Sequence, residues 1–259
     1  MSISLNTITP VVILSFGRTG SNFFISKLIQ SRQLLIAWEP FNTKINNSFE
    51  FNNFPNISWT TRAALEDVAL RAQDPESYLE RLVSAQGLSR KDHGLAALVF
   101  KLFPMHSIDM YFRAARDPRT KCIFLTRHNQ IAHYASFVIS RITNQYVSAG
   151  GEFNNSIKIP FDPISFEIFC HLQDVLYFQT LDSLKEKPVN TMVLDYDTIT
   201  SEIYDFGPVL KFCGCDVVPL GPSWLHRQGQ RLQDTFTNYE SVVSYCEHER
   251  RDLLPFLQE

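Results

Sequence analysis

The sequence lacks any hydrophobic run long enough to cross a bilayer. Its longest apolar stretches, residues 11–14 and 95–100, fall far short of the roughly 20 residues that a membrane-spanning helix needs. The N-terminal segment, MSISLNTITP, has neither the basic flank nor the apolar stretch of a signal peptide. These two absences predict a cytoplasmic protein without membrane insertion.

Cysteine pairs and metal-ligand clusters are also scarce. The chain has five cysteines, an odd number without the spacing of a disulfide framework, and such a set favours reduced thiols. The segment Cys213-Gly214-Cys215 could form half of a metal site, but neither a second cysteine pair nor a histidine cluster accompanies it. We therefore predict that the protein binds no metal.

An excess of positive charge is missing as well. The 24 basic residues are outnumbered by 27 acidic ones, and a net charge of −3 argues against nucleic acid as a partner. What is present is the composition of a globular protein, with 44% hydrophobic and 20% charged residues. A chain of 259 residues is long enough for one full core, and we predict a single domain over residues 1–259.

The most informative segment lies near the N-terminus. Residues 11–14 are apolar, and the first three of them are β-branched, which predicts a buried strand. A turn with two glycines follows, and an apolar-periodic helix begins near Asn22. Such a unit gathers free backbone N–H groups and the positive end of a helix around one point, so it predicts an anion cradle. Arg18 and the hydroxyls of Thr19 and Ser21 add a cation and donors that suit a phosphate or sulfate.

This turn differs from a Walker A loop. Two residues separate Gly17 from Gly20, where the Walker motif has four, and no lysine follows Gly20. A P-loop-like nucleotide kinase is therefore kept only as an alternative function. A non-catalytic nucleotide-binding module is a second alternative, because it would keep the cationic cradle without needing a catalytic carboxylate.

Apolar runs alternate with helical periodicity along the rest of the chain. We predict further strands over residues 34–38, 95–103, 121–126 and 189–194. Helices are predicted at about residues 60–85, 107–115, 130–143, 163–185, 205–213 and 238–248. This alternation predicts an α/β fold, a mostly parallel sheet with helices on both faces. Ligands of such sheets bind beyond the carboxyl ends of the strands, and polar clusters follow the strands at residues 15–22, 39–42, 101–106 and 126–136.

Two of these clusters resemble motifs of the sulfotransferases that use 3′-phosphoadenosine 5′-phosphosulfate (PAPS). The run Arg18-Thr19-Gly20-Ser21-Asn22 resembles the family's 5′-phosphosulfate loop, in which Lys or Arg precedes Ser/Thr-Gly-Ser/Thr-Thr. A strand that ends before Arg127, with Ser136 on the next helix, resembles the family's 3′-phosphate motif. The two residues are nine positions apart, as in the bacterial glycolipid and nodulation-type branch.

Two later segments resemble the same family. Tyr196 lies in a run, residues 193–197, that resembles the strand end whose tyrosine lies near the adenine. Arg227 and Gln228 lie in a segment that resembles the one that closes over the nucleotide. The resemblance extends from residue 11 to residue 240 and implies a P-loop-like sulfotransferase fold and PAPS as the co-substrate. The residues that it assigns to PAPS are Arg18, Thr19, Gly20, Ser21, Asn22, Arg127, Ser136, Tyr196, Arg227 and Gln228.

Sulfuryl transfer also needs a base and a group that neutralises charge on the leaving phosphate. Arg18 is the predicted charge stabiliser, and Lys101, at the end of an apolar run, can reach the same region. Glu39-Pro40-Phe41-Asn42 resembles the segment that supplies a glutamate base in bacterial and heparan-type sulfotransferases, so Glu39 is the predicted base. His106 is the rival: the cytosolic branch has a histidine two residues after the strand-end lysine, but His106 is five after Lys101.

The acceptor is not readable from these motifs. The resemblance implies one of three acceptor classes: bacterial glycolipids, oligosaccharides, or polar secondary metabolites, which include alkaloid toxins. The short chain without a membrane anchor favours a small, polar secondary metabolite with a hydroxyl or amine. Aromatic residues in segments 43–60 and 144–170 are candidates for its pocket: Phe49, Phe51, Phe54, Trp59, Tyr146, Phe153 and Phe161.

Overall fold

The computed structural model describes residues 8–42, 49–145, 157–201, 203–225 and 231–258. The strands of this part are β1 Val11–Ser15, β2 Leu34–Ala37, β3 Ala97–Leu102, β4 Lys121–Thr126 and β5 Thr191–Asp195. Its α-helices are α1 Ser21–Leu28, α2 Trp59–Leu65, α3 Val68–Gln73, α4 Pro75–Ser84, α5 Arg90–His93, α6 Ile108–Arg116, α7 Gln130–Thr143, α8 Pro163–Leu184, α9 Tyr196–Ile199, α10 Gly207–Phe212, α11 Leu232–Thr235 and α12 Tyr239–His248. Short 3₁₀ segments span Ile29–Ser31, Phe51–Asn53, Pro188–Asn190 and Arg251–Gln258.

The strands form one parallel sheet in the order β2-β3-β1-β4-β5. Alternate residues of β1 point to opposite faces: Val12 and Leu14 join one core cluster, and Val11 and Ile13 join the other. Both faces are therefore covered, which confirms the predicted α/β fold with a parallel sheet and explains why β1 reads as a continuous apolar run.

The helical segment predicted over residues 60–85 consists of three short helices. Asp67 accepts a hydrogen bond from the Leu70 N–H (2.8 Å) at the start of α3. Asp74 accepts one from the Ser77 N–H (3.0 Å) at the start of α4, and Pro75 occupies its first turn. Aspartate caps and proline at the first helical position begin new helices, so the chain turns twice within this segment.

The order of the strands places the crevice of the sheet beside β1. The chain runs from β1 through α1 to β2 at one edge, and from β4 through α7 to the β5 edge at the other. Helices that leave in opposite directions open a crevice at the carboxyl ends of β1 and β4, where open parallel sheets bind ligands. The predicted anion cradle and the Arg127 segment are the two turns at this crevice.

The remaining features of the described chain concern thiols and membranes. All five cysteines are buried and free. Among the helices described, none combines the length and the apolar character that spanning a bilayer requires.

Candidate active site

The loop between β1 and α1, residues 16–20, has two residues in left-handed conformations. Arg18 has φ +71° and Gly20, which caps α1, has φ +77°. The buried Thr19 hydroxyl donates to the Phe16 carbonyl at 2.9 Å, so it closes the loop on itself. A left-handed arginine is costly for the backbone, and this loop therefore has to be held by its neighbours.

Tyr196 lies directly against the glycine of this loop. A Cβ atom at Gly20 would approach the Tyr196 ring to 2.2 Å, so only glycine fits there. On that ring lies the Arg127 guanidinium, 4.5 Å from the ring centroid, a distance typical of a cation–π contact. Three residues that the resemblance assigns to the nucleotide thus meet at the ends of β1, β4 and β5.

Arg18 connects the loop to α7. Its Nε donates to the Ser136 hydroxyl at 3.0 Å, and Arg127 Nη1 donates to the Arg18 carbonyl at 3.2 Å. The predicted 3′-phosphate pair, Arg127 and Ser136, is therefore adjacent to the predicted 5′-phosphosulfate residue. We call Arg18, Arg127, Ser136 and Tyr196 the arginine cluster.

Two residues of this region were not anticipated. Asp195, the last residue of β5, accepts hydrogen bonds from the backbone N–H groups of His128 and Asp197, each at 3.0 Å. His133 on α7 is hydrogen-bonded through Nε2 to the Gly17 carbonyl at 2.6 Å. The signal for His133 was its position three residues before Ser136, since residues three apart share one face of a helix.

A second cluster lies at the ends of β2 and β3. The Lys101 ammonium donates to Glu39 Oε1 at 2.9 Å and to the Asn22 side-chain oxygen on α1. Asn42 donates to Glu39 Oε2 at 2.8 Å, and His106 Nε2 lies 3.8 Å from that same oxygen. The structure thus brings together Glu39, Lys101 and His106, the three residues predicted for catalysis besides Arg18. We call Lys101, Glu39, His106, Asn22 and Asn42 the lysine cluster.

Burial and charge oppose each other in this cluster. Lys101 is fully buried, and burial lowers its pKa, while the Glu39 carboxylate counteracts that effect. Burial acts to raise the pKa of Glu39, but the charge of Lys101 and the hydrogen bonds from Asn42 and Lys101 outweigh it and hold that pKa below its usual value. Glu39 is therefore a carboxylate at neutral pH.

Aromatic and apolar side chains surround the lysine. The Lys101 ammonium lies 5.3 Å from the Trp38 ring centroid and 5.4 Å from that of Phe103. Met105, which is 65% exposed, lies beside Gly17, as its Cε would be 3.4 Å from a Cβ there. The rim between the loop and the lysine cluster is thus partly apolar.

Several expected aromatic residues are not available to line a pocket. Phe49, Phe54 and Phe161 are buried within core clusters, where apolar side chains are usually found. Tyr146 and Phe153 lie outside the described residues, as do the predicted nucleotide ligands Arg227 and Gln228. Within the described ranges, no group of three or more His, Cys, Asp or Glu side chains is placed to hold a metal ion.

Comparisons with known proteins give structural similarities only. No protein-family model matches the chain, and no curated protein does. The chain is similar to a solved sulfotransferase from Alicyclobacillus acidocaldarius, with 13% identity, coverage of 97% of this chain and 96% of that one, and a TM-score of 0.49. It is also similar to a solved sulfotransferase domain from the curacin biosynthetic pathway, with 16% identity, coverage of 88% and 83%, and a TM-score of 0.43. With values this low, neither similarity assigns an activity, so the case for one rests on the site.

Proposed function

We propose that this protein is a PAPS-dependent sulfotransferase, which moves a sulfuryl group from PAPS to a hydroxyl or amine of a small acceptor and releases 3′-phosphoadenosine 5′-phosphate (PAP). One observation carries the proposal. The loop 16–20 and the start of α1 lie between the two clusters: Arg18 contacts Ser136 on one side, and Asn22 contacts Lys101 on the other. A PAPS molecule held in the loop would therefore have Arg18 and Arg127 at one end and the Glu39 carboxylate near the other.

The arginine cluster suits the nucleotide end of PAPS. Arg127 offers a planar fork of donors that matches phosphate geometry. Ser136 offers a hydroxyl nearby, because both residues are hydrogen-bonded to Arg18. We assign the 3′-phosphate to Arg127 and Ser136, and the adenine to the neighbourhood of Tyr196. The loop amides, with Thr19, Gly20, Ser21 and the α1 N-terminus, take the 5′ end, because unsatisfied N–H groups there attract anions.

The lysine cluster suits the chemical step. The acceptor oxygen or nitrogen forms a bond to sulfur as the bond from sulfur to the bridging phosphate oxygen breaks, and the acceptor proton passes to a base. We assign the proton to Glu39 and the stabilisation of charge on the leaving phosphate to Arg18 and Lys101. His106, at 3.8 Å from Glu39, is the remaining candidate for the base.

The acceptor in this proposal is a small polar metabolite. The rim is partly apolar where the exposed Met105 lies beside Gly17, which is compatible with a ring or short chain beside the reacting group.

Isothermal titration with PAP, 5′-AMP and ATP tests the donor assignment. We expect PAP to bind at micromolar concentrations or tighter, and 5′-AMP at least about tenfold more weakly, since a charge-assisted phosphate contact contributes roughly 1.5–3 kcal/mol. Equal affinities for PAP and 5′-AMP would remove the sulfotransferase assignment. Tighter binding of ATP than of PAP would favour the nucleotide-kinase alternative.

A further inference from the structure

Helix α7 contacts the loop 16–20 at two points that are one helical turn apart. His133 Nε2 is hydrogen-bonded to the Gly17 carbonyl at 2.6 Å, and the Ser136 hydroxyl accepts from Arg18 Nε at 3.0 Å. The second contact belongs to residues already assigned to the nucleotide. The first belongs to a histidine that no step of the proposed reaction uses.

The chemistry of the His133 contact defines its tautomer. A carbonyl oxygen only accepts hydrogen bonds, so Nε2 must carry the proton. The side chain is 2% exposed, and burial, reinforced by the charges of Arg127 and Arg18, lowers the pKa of His133 to about 3 although the bond to Gly17 counteracts this. The Phe169 ring packs edge-on against the imidazole at 5.0 Å, which fixes its orientation. His133 is thus a neutral, rigid donor.

The contact acts on the most strained part of the loop. In a planar trans peptide, the Gly17 carbonyl and the Arg18 N–H point in opposite directions. Fixing the carbonyl therefore fixes the direction of the Arg18 N–H as well. Arg18 itself is held at φ +71°, a conformation that persists only when surrounding contacts determine it.

We propose that His133 is a positioning residue, which holds the Gly17–Arg18 peptide by donating from Nε2 and thereby sets the affinity of the loop for the 5′ end of the donor. The effect on the affinity for PAPS rests on the proposed function. The hydrogen bond that holds the Gly17–Arg18 peptide is independent of that function.

The tautomer is tested without any nucleotide. In ¹⁵N-histidine-labelled protein, the His133 signal is identified by its loss in His133→Gln. We expect a neutral ring with the proton on Nε2 from pH 8 down to pH 5, well above its pKa of about 3. A proton on Nδ1, or titration near the ordinary histidine value of about 6.5, would overturn the proposal.

The effect on the loop is tested by titration with PAP. We expect His133→Ala to weaken binding about three- to tenfold, the usual range for one lost hydrogen bond, and His133→Gln to restore part of it through the amide donor. His93→Ala is the matched control, because His93 interacts with Ser89 at α5, outside both clusters, and is expected to leave PAP affinity unchanged.

The outcomes separate this proposal from the proposed function. Unchanged PAP affinity in both His133 variants, with normal binding by the wild type, would overturn the positioning role alone. No PAP binding by the wild type would overturn the proposed function, and the ¹⁵N measurement would still decide whether His133 holds the peptide.

Discussion

Lys101 and Glu39 form an ion pair at 2.9 Å although the lysine is fully buried. Removing two charges from water opposes such a pair, and well-packed apolar residues are often no less stable in its place. The pair is therefore weak evidence for a role in folding. Its position at the ends of β2 and β3, next to the start of α1, is the position that a reaction at the loop requires.

Replacing Glu39 tests the base. We expect Glu39→Gln to lower kcat roughly 10²–10⁴-fold, the range for loss of general-base catalysis, while PAP affinity stays nearly intact. Glutamine keeps the size of Glu39 and one of its two accepting oxygens, so the basic site is removed with little change in packing. The measurement is turnover of PAPS with an acceptor identified by screening labelled products.

His106→Ala is the control for this variant, with an expected loss below tenfold. An active Glu39→Gln protein together with an inactive His106→Ala protein would reassign the base to His106. Full activity of both variants would mean that the acceptor reacts without a protein base.

Replacing Lys101 tests the electrostatics of the same pair. The ammonium of Lys101 lowers the pKa of Glu39 against the effect of burial. In Lys101→Met that charge and its hydrogen bond are gone, and only the Asn42 hydrogen bond and the charge of His106 still oppose burial, so the pKa of Glu39 rises. We expect the acid limb of the pH dependence of kcat to move to higher pH, whatever the change in maximal rate. A limb that stays in place or moves to lower pH would show that Glu39 does not set it.

At the scale of elements, the β1–α1 unit was the most predictable part of the molecule. The β-branched run predicted a strand, and the structure has it at Val11–Ser15. The two-glycine turn predicted a loop before a helix, and α1 begins at Ser21. Local signals were sufficient here because strand propensity, turn residues and helical periodicity agree with one another.

Glycine substitutions test how this turn is built. Gly20 and Gly94 both have positive φ, but a Cβ at Gly20 meets the Tyr196 ring whereas a Cβ at Gly94 meets nothing within 4 Å. We expect Gly94→Ala to cost about 1 kcal/mol for the left-handed backbone alone. Gly20→Ala should cost about 2–4 kcal/mol, because overpacking adds to the same strain.

Urea unfolding measures both costs, and PAP affinity provides a second readout. Gly20→Ala is expected to lose PAP binding, while Gly94→Ala keeps it. Equal losses of stability in the two variants would mean that Tyr196 yields readily and does not constrain the loop.

Other elements were less predictable from local signals. Apolar periodicity predicted helical structure over residues 60–85 but not its division into α2, α3 and α4, which Asp67 and Asp74-Pro75 determine. The strand predicted from residue 189 begins at Thr191, because a 3₁₀ turn over Pro188–Asn190 precedes it. Both boundaries depend on local capping side chains and turns, which apolar periodicity does not report.

At the scale of the whole molecule, the sequence indicated which side chains belong to strand ends but not which of them touch. Alternating strands and helices predicted a parallel sheet, whose carboxyl ends must share one edge. The strand order, with β1 at the centre, was not readable. It is this order that brings Asn22 to Lys101 and Arg18 to Ser136, contacts between residues 79 and 118 positions apart.

The role of Arg127 depends on the same long-range assembly. It lies on the Tyr196 ring and donates to the Arg18 carbonyl, so it joins the β4, β5 and β1 turns. In the proposed sulfotransferase, the charge of Arg127 binds the 3′-phosphate that distinguishes PAP from 5′-AMP. The most direct measurement is therefore the affinity of wild type and Arg127→Ala for each nucleotide by titration calorimetry.

We predict that Arg127→Ala weakens PAP by about one to two decades, equivalent to roughly 1.5–3 kcal/mol for a charge-assisted contact. The affinity for 5′-AMP should change much less, and Arg127→Lys should lie between the two proteins for PAP because it keeps the charge without the fork. Equal weakening of PAP and 5′-AMP by Arg127→Ala, or no weakening of PAP at all, would contradict the assignment of this site to a 3′-phosphorylated sulfuryl donor.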